Sequence, residues 1–194
     1  ESLQSTATRY VGFLDHDDLL LPDACHWRIE RLKQTGSAVT FGRIYNTRSD
    51  KLNRRLLDRG RLYEYNRTYE EFLVLNHCPL HGVLLDRHLL SGKTVIYRPQ
   101  QRYLEDYALL LQVVSANNTD WGALALNHYV GDYRHLEDGD HTLALSDPEK
   151  RAQVLESAEY LDASNWIQKI QNHLRSGNDL ETLSPPKDGR KIVL

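Results

Sequence analysis

Tyr10-Val11-Gly12-Phe13-Leu14-Asp15-His16-Asp17-Asp18 is the stretch on which the reading of this chain turns. With Arg9 in front, its first half is a short apolar, β-prone run, read as a buried strand over 9–14. The run stops abruptly at three carboxylates within four residues. Leu19-Leu20-Leu21-Pro22-Asp23 follows, and Pro22-Asp23 opens a helix on which Cys25, Ile29 and Leu32 recur at i, i+4 and i+7. Gly36 is placed to cap that helix, and Ala38 to Tyr45 reads as the next strand. Strand, acidic turn, helix, strand is the order of α/β layering.

Three carboxylates so close together repel one another unless something positive sits among them. A hard divalent cation is the natural partner, because Mg²⁺ and Mn²⁺ prefer oxygen ligands. Magnesium commonly takes one or two protein carboxylates and completes its shell with phosphate oxygens. The end of a strand is also where open α/β sheets bind ligands. The plainer reading is an acidic turn that caps the helix opened by Pro22.

Further along, residues 46–67 are polar and read as irregular. They hold Arg48, Lys51, Arg54, Arg55, Arg59, Arg61 and Arg67 against Asp50, Asp58 and Glu64, a local excess of positive charge. Thr68-Tyr69-Glu70-Glu71 fits a capping box for a helix through Leu75. Asn76 to Gly82 reads as a loop, Val83–Leu85 as a strand, and Gly92 to Pro99 as turn, strand, turn. Leu104 to Val114 is helical with an acidic start. Ala123 to Val130 reads as a strand, and Gly131 to Asp140 as a polar loop. Ser146-Asp147-Pro148-Glu149 starts a helix through Leu161. Trp166, Ile167, Ile170 and Leu174 mark another, closed by Gly177, and the stretch with Pro185-Pro186 reads as a tail.

The composition is that of a globular chain: 194 residues, 40% hydrophobic, 26% charged, formal net charge −3. Collagen-like and disordered classes are excluded, and the acidic balance gives no electrostatic footprint for nucleic acid. No apolar run approaches the roughly 20 residues of a transmembrane segment. Cys25 and Cys78 lack CxxC spacing, which fits a reducing, cytoplasmic compartment and argues against structural zinc. The chain opens Glu1-Ser2-Leu3 with no leader pattern and contains no methionine; the expectation is a fragment of a longer protein.

The strand ending in Leu14-Asp15-His16-Asp17-Asp18, followed by Leu19-Leu20-Leu21-Pro22-Asp23, resembles the DxD segment of family 2 glycosyltransferases with the GT-A fold. Arg102-Tyr103-Leu104-Glu105-Asp106-Tyr107-Ala108-Leu109-Leu110 resembles the Glu-Asp segment of the same family, in the same order along the chain. Asn76 to Leu90 is similar to the segment before it, with the family's basic pair altered to Arg87-His88. Asn127 to His135 is similar to its Tyr-Arg-x-His strand and loop. The resemblance covers residues 8–142 and implies an α/β fold, a partial GT-A mixed sheet flanked by helices. Residues 1–145 would be the acceptor-side part of a catalytic domain, and 146–194 a helical extension and tail. The family's preceding nucleotide-base-gripping part is not represented.

The resemblance further implies a divalent metal (Mg²⁺ or Mn²⁺) and a nucleotide-sugar donor, with a UDP-sugar favoured. Asp17 would be the direct metal ligand, and Asp15 would lie nearer the ribose or a metal-bound water. Arg134 and His135 would approach the donor diphosphate. Asp106 would be the general base of an inverting transfer, taking the proton of the acceptor hydroxyl. Glu105, His81 and Trp121 would lie on the acceptor side, and the loop with Gly139, Asp140 and His141 would cover the site. The acceptor would be a glycan or lipid-linked hydroxyl in surface-glycan synthesis. That suits a peripheral position at the inner membrane, with the basic 48–67 stretch steering an anionic acceptor, and leaves homo-oligomerisation open. Two other readings stand beside this one. The first is a non-catalytic transferase remnant acting as an interaction domain. The second is a haloacid-dehalogenase-like phosphatase, which also places Asp-x-Asp after an apolar strand, although Asp18-Leu19 stands where that family has Gly-Thr.

Overall fold

The computed structural model of the protein describes residues 8–50, 56–61, 68–136 and 147–194. The chain divides into two compact units, the first formed by Glu1–Gly92, Val114–Asp138 and Leu194, the second by Lys93–Val113 and Gly139–Val193. In chain order the first unit holds β1 (Tyr10–Gly12), β2 (Leu19–Leu20), α1 (Ala24–Thr35), β3 (Val39–Phe41), β4 (Arg43–Ser49), β5 (Leu56–Arg61), α2 (Tyr69–Phe72) and β6 (Val83–Asp86). The second unit interrupts with β7 (Thr94–Tyr97) and α3 (Glu105–Val113). The first then resumes with β8 (Thr119–Asp120) and β9 (Tyr129–Leu136). The second is completed by α4 (Pro148–Glu156), α5 (Ala158–Arg175) and β10 (Arg190–Val193). The class is mixed α/β, with mixed sheets flanked by helices.

Two four-stranded sheets make the first unit. One runs β1-β6-β3-β8, antiparallel except for the parallel β3–β8 pair. The other runs β2-β9-β4-β5, antiparallel except for β9–β4. The expected strand over 38–45 is therefore two strands in two sheets, broken at Gly42. A Cβ there would stand 2.4 Å from both methyls of Val130, and the Gly42 N–H donates to Gly82 O at 2.8 Å. Only a residue without a side chain lets the backbone cross from one sheet to the other so tightly.

Helix α1 ends as expected, with Gly36 left-handed at φ 67° and its N–H on Leu32 O. Its buried face differs from the expected one: Ala24, Arg28 and Leu32 point inward, while Cys25 is exposed. Ala24 packs with Ile44 and Val130 in a small core to which Leu20, Trp27 and Tyr133 add. Arg31 grips the Asp120 carboxylate with two donors, Nε at 2.9 Å and Nη2 at 3.1 Å, tying α1 to β8. The Thr68 capping box is complete, but α2 stops at Phe72, and Val74 and Leu75 are exposed.

Residues 46–49 and 56–61 depart from the expected irregular stretch, and residues 51–55 lie outside the described residues. β4 runs on to Ser49 and forms an antiparallel hairpin with β5. Thr47 and Ser49 are buried there while Leu56 and Leu57 are exposed, so the polarity pattern hides the strands. Residues 62–67 lie outside the described residues. The expected strand over 123–130 is also corrected. Ala123–Leu126 is a 3₁₀ turn, Asn127 is left-handed at φ 54°, and the strand begins only at Tyr129. Arg43 holds this turn, donating to Leu124 O and Asn127 Oδ1, each at 2.6 Å. The polar stretch from Gly131 is strand as far as Leu136; the covering loop with Gly139, Asp140 and His141 lies outside the described residues.

In the second unit β7 pairs antiparallel with β10, so the expected tail ends in a strand. The Gln112 side chain on α3 accepts from Ile96 N at 2.6 Å and donates to Ile96 O at 3.2 Å. α4 starts with Asp147 accepting from Glu149 N, and ends at Ser157 rather than near Leu161. Ser157 then caps α5, which buries Ala163, Trp166, Ile167 and Ile170. No helix among the described residues is long and apolar enough to cross a membrane.

Candidate functional site

The acidic turn closes between β1 and β2, where the Asp18 N–H donates to Asp15 O at 3.2 Å. Its three carboxylates have different surroundings. Asp18 is buried at 5% exposure. Its Oδ1 accepts the Arg134 backbone N–H at 2.9 Å, and its Oδ2 stands 2.9 Å from His81 Nδ1. Strand β2 pairs Leu19 with Asp132 and goes no further along β9 in that direction. The Asp18 carboxylate thus takes a β9 donor that lies beyond the end of the strand ladder. The Arg134 guanidinium, also buried, donates through Nε to the carbonyl oxygen of Asp17.

Asp15 and Asp17 are left over. Among the described residues their carboxylates make no hydrogen bond; the His16 Nδ1 stands 3.9 Å from Asp17 Oδ1. Partial burial and the charges of Asp18 and Asp17 push the Asp15 carboxyl above its ordinary range, against the weaker opposing pull of His81 and His16. A raised folded-state carboxyl penalises the fold once pH exceeds that range, and the penalty disappears in acid, where folded and unfolded chains are both protonated. Asp15→Asn is therefore expected to raise the thermal midpoint at pH 7 by no more than about 1 °C, since water and salt screen so exposed a carboxylate. The gain should vanish when calorimetry is repeated below pH 3.5 or so, under the normal Asp range; a lower midpoint at pH 7 would contradict it.

His81 does not reach a surface. It is 1% exposed in the 3₁₀ turn Leu80–Gly82. Arg28 places that turn, donating from Nη1 to His81 O at 2.8 Å and Val83 O at 3.0 Å, and from Nε to Ala24 O at 3.0 Å. Burial lowers the affinity of the Arg28 guanidinium for its proton. The imidazole lies parallel to the Tyr133 ring, centroids 6.3 Å apart, and His135 meets Tyr133 edge-on at 4.9 Å. A Cβ on Gly131 would come within 3.0 Å of His81 Cδ2. Nearby, Arg59 pairs with the buried Asp132 at 2.7 Å and lies over the Tyr45 ring at 4.6 Å.

The structure thus brings Asp15, Asp17, Asp18, His81 and Arg134 into one network. Trp121 sits in an aromatic cluster with Phe41 at 5.5 Å and Phe72 at 5.8 Å, its Nε1–H on Ser115 O at 3.1 Å. Glu105 and Asp106 belong to the second unit, in the first turn of α3, with Asp106 half-buried and Glu105 exposed. Leu104, just before them, is left-handed at φ 58°, a conformation that costs a non-glycine residue about 1–2 kcal/mol. The Cys78 thiol is pushed by burial to about 12 and is no nucleophile. Sequence reasoning missed Arg28 and Gly131. For Arg28 a signal existed: Ala24, Arg28 and Leu32 fall four apart on one helix face.

Among the described residues, no group of three or more His, Cys, Asp or Glu is disposed to hold a metal ion. No protein-family model matches this chain, and no curated protein matches it. Fold and site together define a mixed α/β protein with an acidic turn at a strand end, two of whose three carboxylates make no hydrogen bond among the described residues.

Proposed function

We propose that this chain is the acceptor-side part of a metal-dependent, inverting family 2 glycosyltransferase of the GT-A fold, moving a sugar from a nucleotide-diphospho-sugar to an acceptor hydroxyl. The observation that carries this reading is the division within the acidic turn. Asp18 is engaged inside the protein, while the Asp15 and Asp17 carboxylates remain without hydrogen bonds among the described residues. Two carboxylates suit a Mg²⁺ or Mn²⁺ ion whose remaining ligands are water and phosphate oxygens. After burial, the like charge of Asp18 and Asp17 is what lifts the Asp15 carboxyl, and such an ion would offset that charge.

When bound, the ion would neutralise charge on the departing nucleotide diphosphate. Asp17 would hold it, with Asp15 nearer the ribose or a metal-bound water. Arg134 serves the site by fixing the Asp17 backbone, and His135 is the group left for the diphosphate. Asp106 takes the acceptor's proton, with Glu105 and Trp121 on the acceptor side.

The test is calorimetric titration of UDP into the chain with Mn²⁺ present and absent. We expect binding only with the ion, weakened about 100-fold or more in Asp17→Ala, which removes a direct metal ligand. Absence of Mn²⁺-dependent binding, or its persistence in Asp17→Ala, would overturn the donor-site assignment.

A further inference from the structure

Asp18 and Arg134 hold the acidic turn crosswise. The Asp18 side chain takes the Arg134 backbone, and the Arg134 side chain takes the Asp17 backbone. We propose that Asp18 is a positioning residue rather than a metal ligand. It fixes Arg134, and Arg134 fixes the peptide from which the Asp17 carboxylate is presented. The inference rests on the reading that Asp15 and Asp17 receive the metal, and it deepens that reading.

Asp18 Oδ1 accepts the Arg134 N–H at 2.9 Å. Among the described residues this is the one hydrogen bond to its carboxylate. Oδ2 stands 2.9 Å from His81 Nδ1, but neither ring nitrogen of His81 makes a hydrogen bond. A side chain only 2% exposed is thus held inward by a single backbone donor. That donor lies where the ladder with β2 has ended, since Leu19 is in register with Asp132, two residues before Arg134. The other edge of β9 is secured by β4, with Arg134 in register with Thr47. The strand is therefore the fixed member and the turn the one that is set. From this strand the buried Arg134 returns to the turn, its Nε donating to the Asp17 carbonyl oxygen. The same Asp17–Asp18 peptide gives its N–H to Asp15 O at 3.2 Å. Both ends of that one peptide are engaged, and its carbonyl depends on Arg134. Loss of the Asp18 acceptor strands a buried N–H on β9, loosens Arg134 and frees the peptide that carries Asp17.

Three variants separate the two arms. Asp18→Asn and Asp18→Leu are of similar size and both remove the charge, but only Asn keeps an oxygen for the Arg134 N–H. Arg134→Met keeps that N–H and removes the Nε donor. It also removes a cation, so it is read by hydrogen exchange alone. The readouts are exchange of the amides at positions 18 and 134, and Mn²⁺ affinity from the electron paramagnetic resonance signal of the free ion. In Asp18→Leu we expect both amides to exchange about tenfold faster, as for one lost hydrogen bond. Mn²⁺ should bind about 10–100-fold more weakly than in Asp18→Asn, the usual effect of removing a partner that orients a metal ligand. Asp18→Asn should keep wild-type exchange at position 134. In Arg134→Met only the amide at position 18 should speed up.

Unchanged exchange at position 134 in Asp18→Leu would overturn the inference, as would unchanged exchange at position 18 in Arg134→Met. So would equal Mn²⁺ affinities of Asp18→Asn and Asp18→Leu when the wild-type chain binds the ion, since charge alone would then be the contribution of Asp18. If Asp18→Leu fails to fold, the inference falls unless Arg134→Met frees the amide at 18 and Asp18→Asn keeps that at 134 protected. If the wild-type chain binds no Mn²⁺ while exchange follows the expected pattern, the positioning role stands and it is the metal-dependent reading that fails.

Discussion

Gly131→Ala is expected to destabilise the first unit by about 3 kcal/mol, the upper end for forcing a methyl into a packed site. Its Cβ would stand 2.5 Å from the Leu19 carbonyl oxygen and 3.0 Å from the His81 ring. Neither neighbour yields easily. The first is backbone of β2, paired with β9 through Leu19–Asp132 and Leu20–Gly131; the second is fully buried in a turn whose backbone Arg28 anchors. Relief requires β2 to lift from β9, and Asp18 is the residue before β2, so the acidic turn moves with it. Urea unfolding should show a lower midpoint, and Mn²⁺ binding should be lost with it. Gly122→Ala is the control. Its nearest contact would be 3.7 Å, to an Asp120 side-chain oxygen, and its φ of −76° suits any residue. Wild-type stability in Gly131→Ala would mean that β2 is not held against β9 as described.

Arg28→Ala should cost about 3–5 kcal/mol, combining the loss of a large buried side chain with carbonyl oxygens left short of donors. Arg28 is 1% exposed, and its guanidinium links helix α1 to the Leu80–Gly82 turn and to the first residue of β6. Against the 5–15 kcal/mol that typically holds a domain together, such a loss leaves a marginal fold. Lysine should rescue little, since one ammonium cannot reproduce the guanidinium fork. Chemical denaturation of Arg28→Ala and Arg28→Lys checks both statements. A loss below 1 kcal/mol or so in Arg28→Ala would fall within ordinary point-mutant scatter and would remove Arg28 from its anchoring role.

The parts of the fold that could be read in advance are those with local causes. An apolar run cut by acids gave β1 and the turn, although β1 is only Tyr10–Gly12 and is half-buried to exposed rather than buried; Gly36 gave the end of α1, and Thr68 with Glu71 the start of α2. β5 and most of β9 were hidden because their pairing inverts the usual pattern. Thr47, Ser49, Asp132 and Arg134 are buried, while Leu56 and Leu57 face solvent. Three of these polar groups have partners inside: Thr47 donates to Tyr133 O, Asp132 pairs through one oxygen with Arg59, and Arg134 donates to the Asp17 carbonyl. β10 was missed because only Ile192 of its four residues is buried. The candidate site was legible as a set of carboxylates but not in its division. What separates Asp18 from Asp15 and Asp17 is a hydrogen bond spanning 116 residues to Arg134 and a contact with His81. No local spacing encodes either.

The crossing at Gly42 links β3 to β4 with a single intervening residue. Side chains alternate along a strand, so a one-residue slip in either sheet would turn the segment's inward and outward faces over. With one residue between them, β3 and β4 cannot slip separately: displacement of one pulls directly on the other. Gly42 therefore works as a registration pin. The sheet that carries β1, entering the acidic turn, and the sheet that carries β2, leaving it, are indexed to each other through a residue with no side chain.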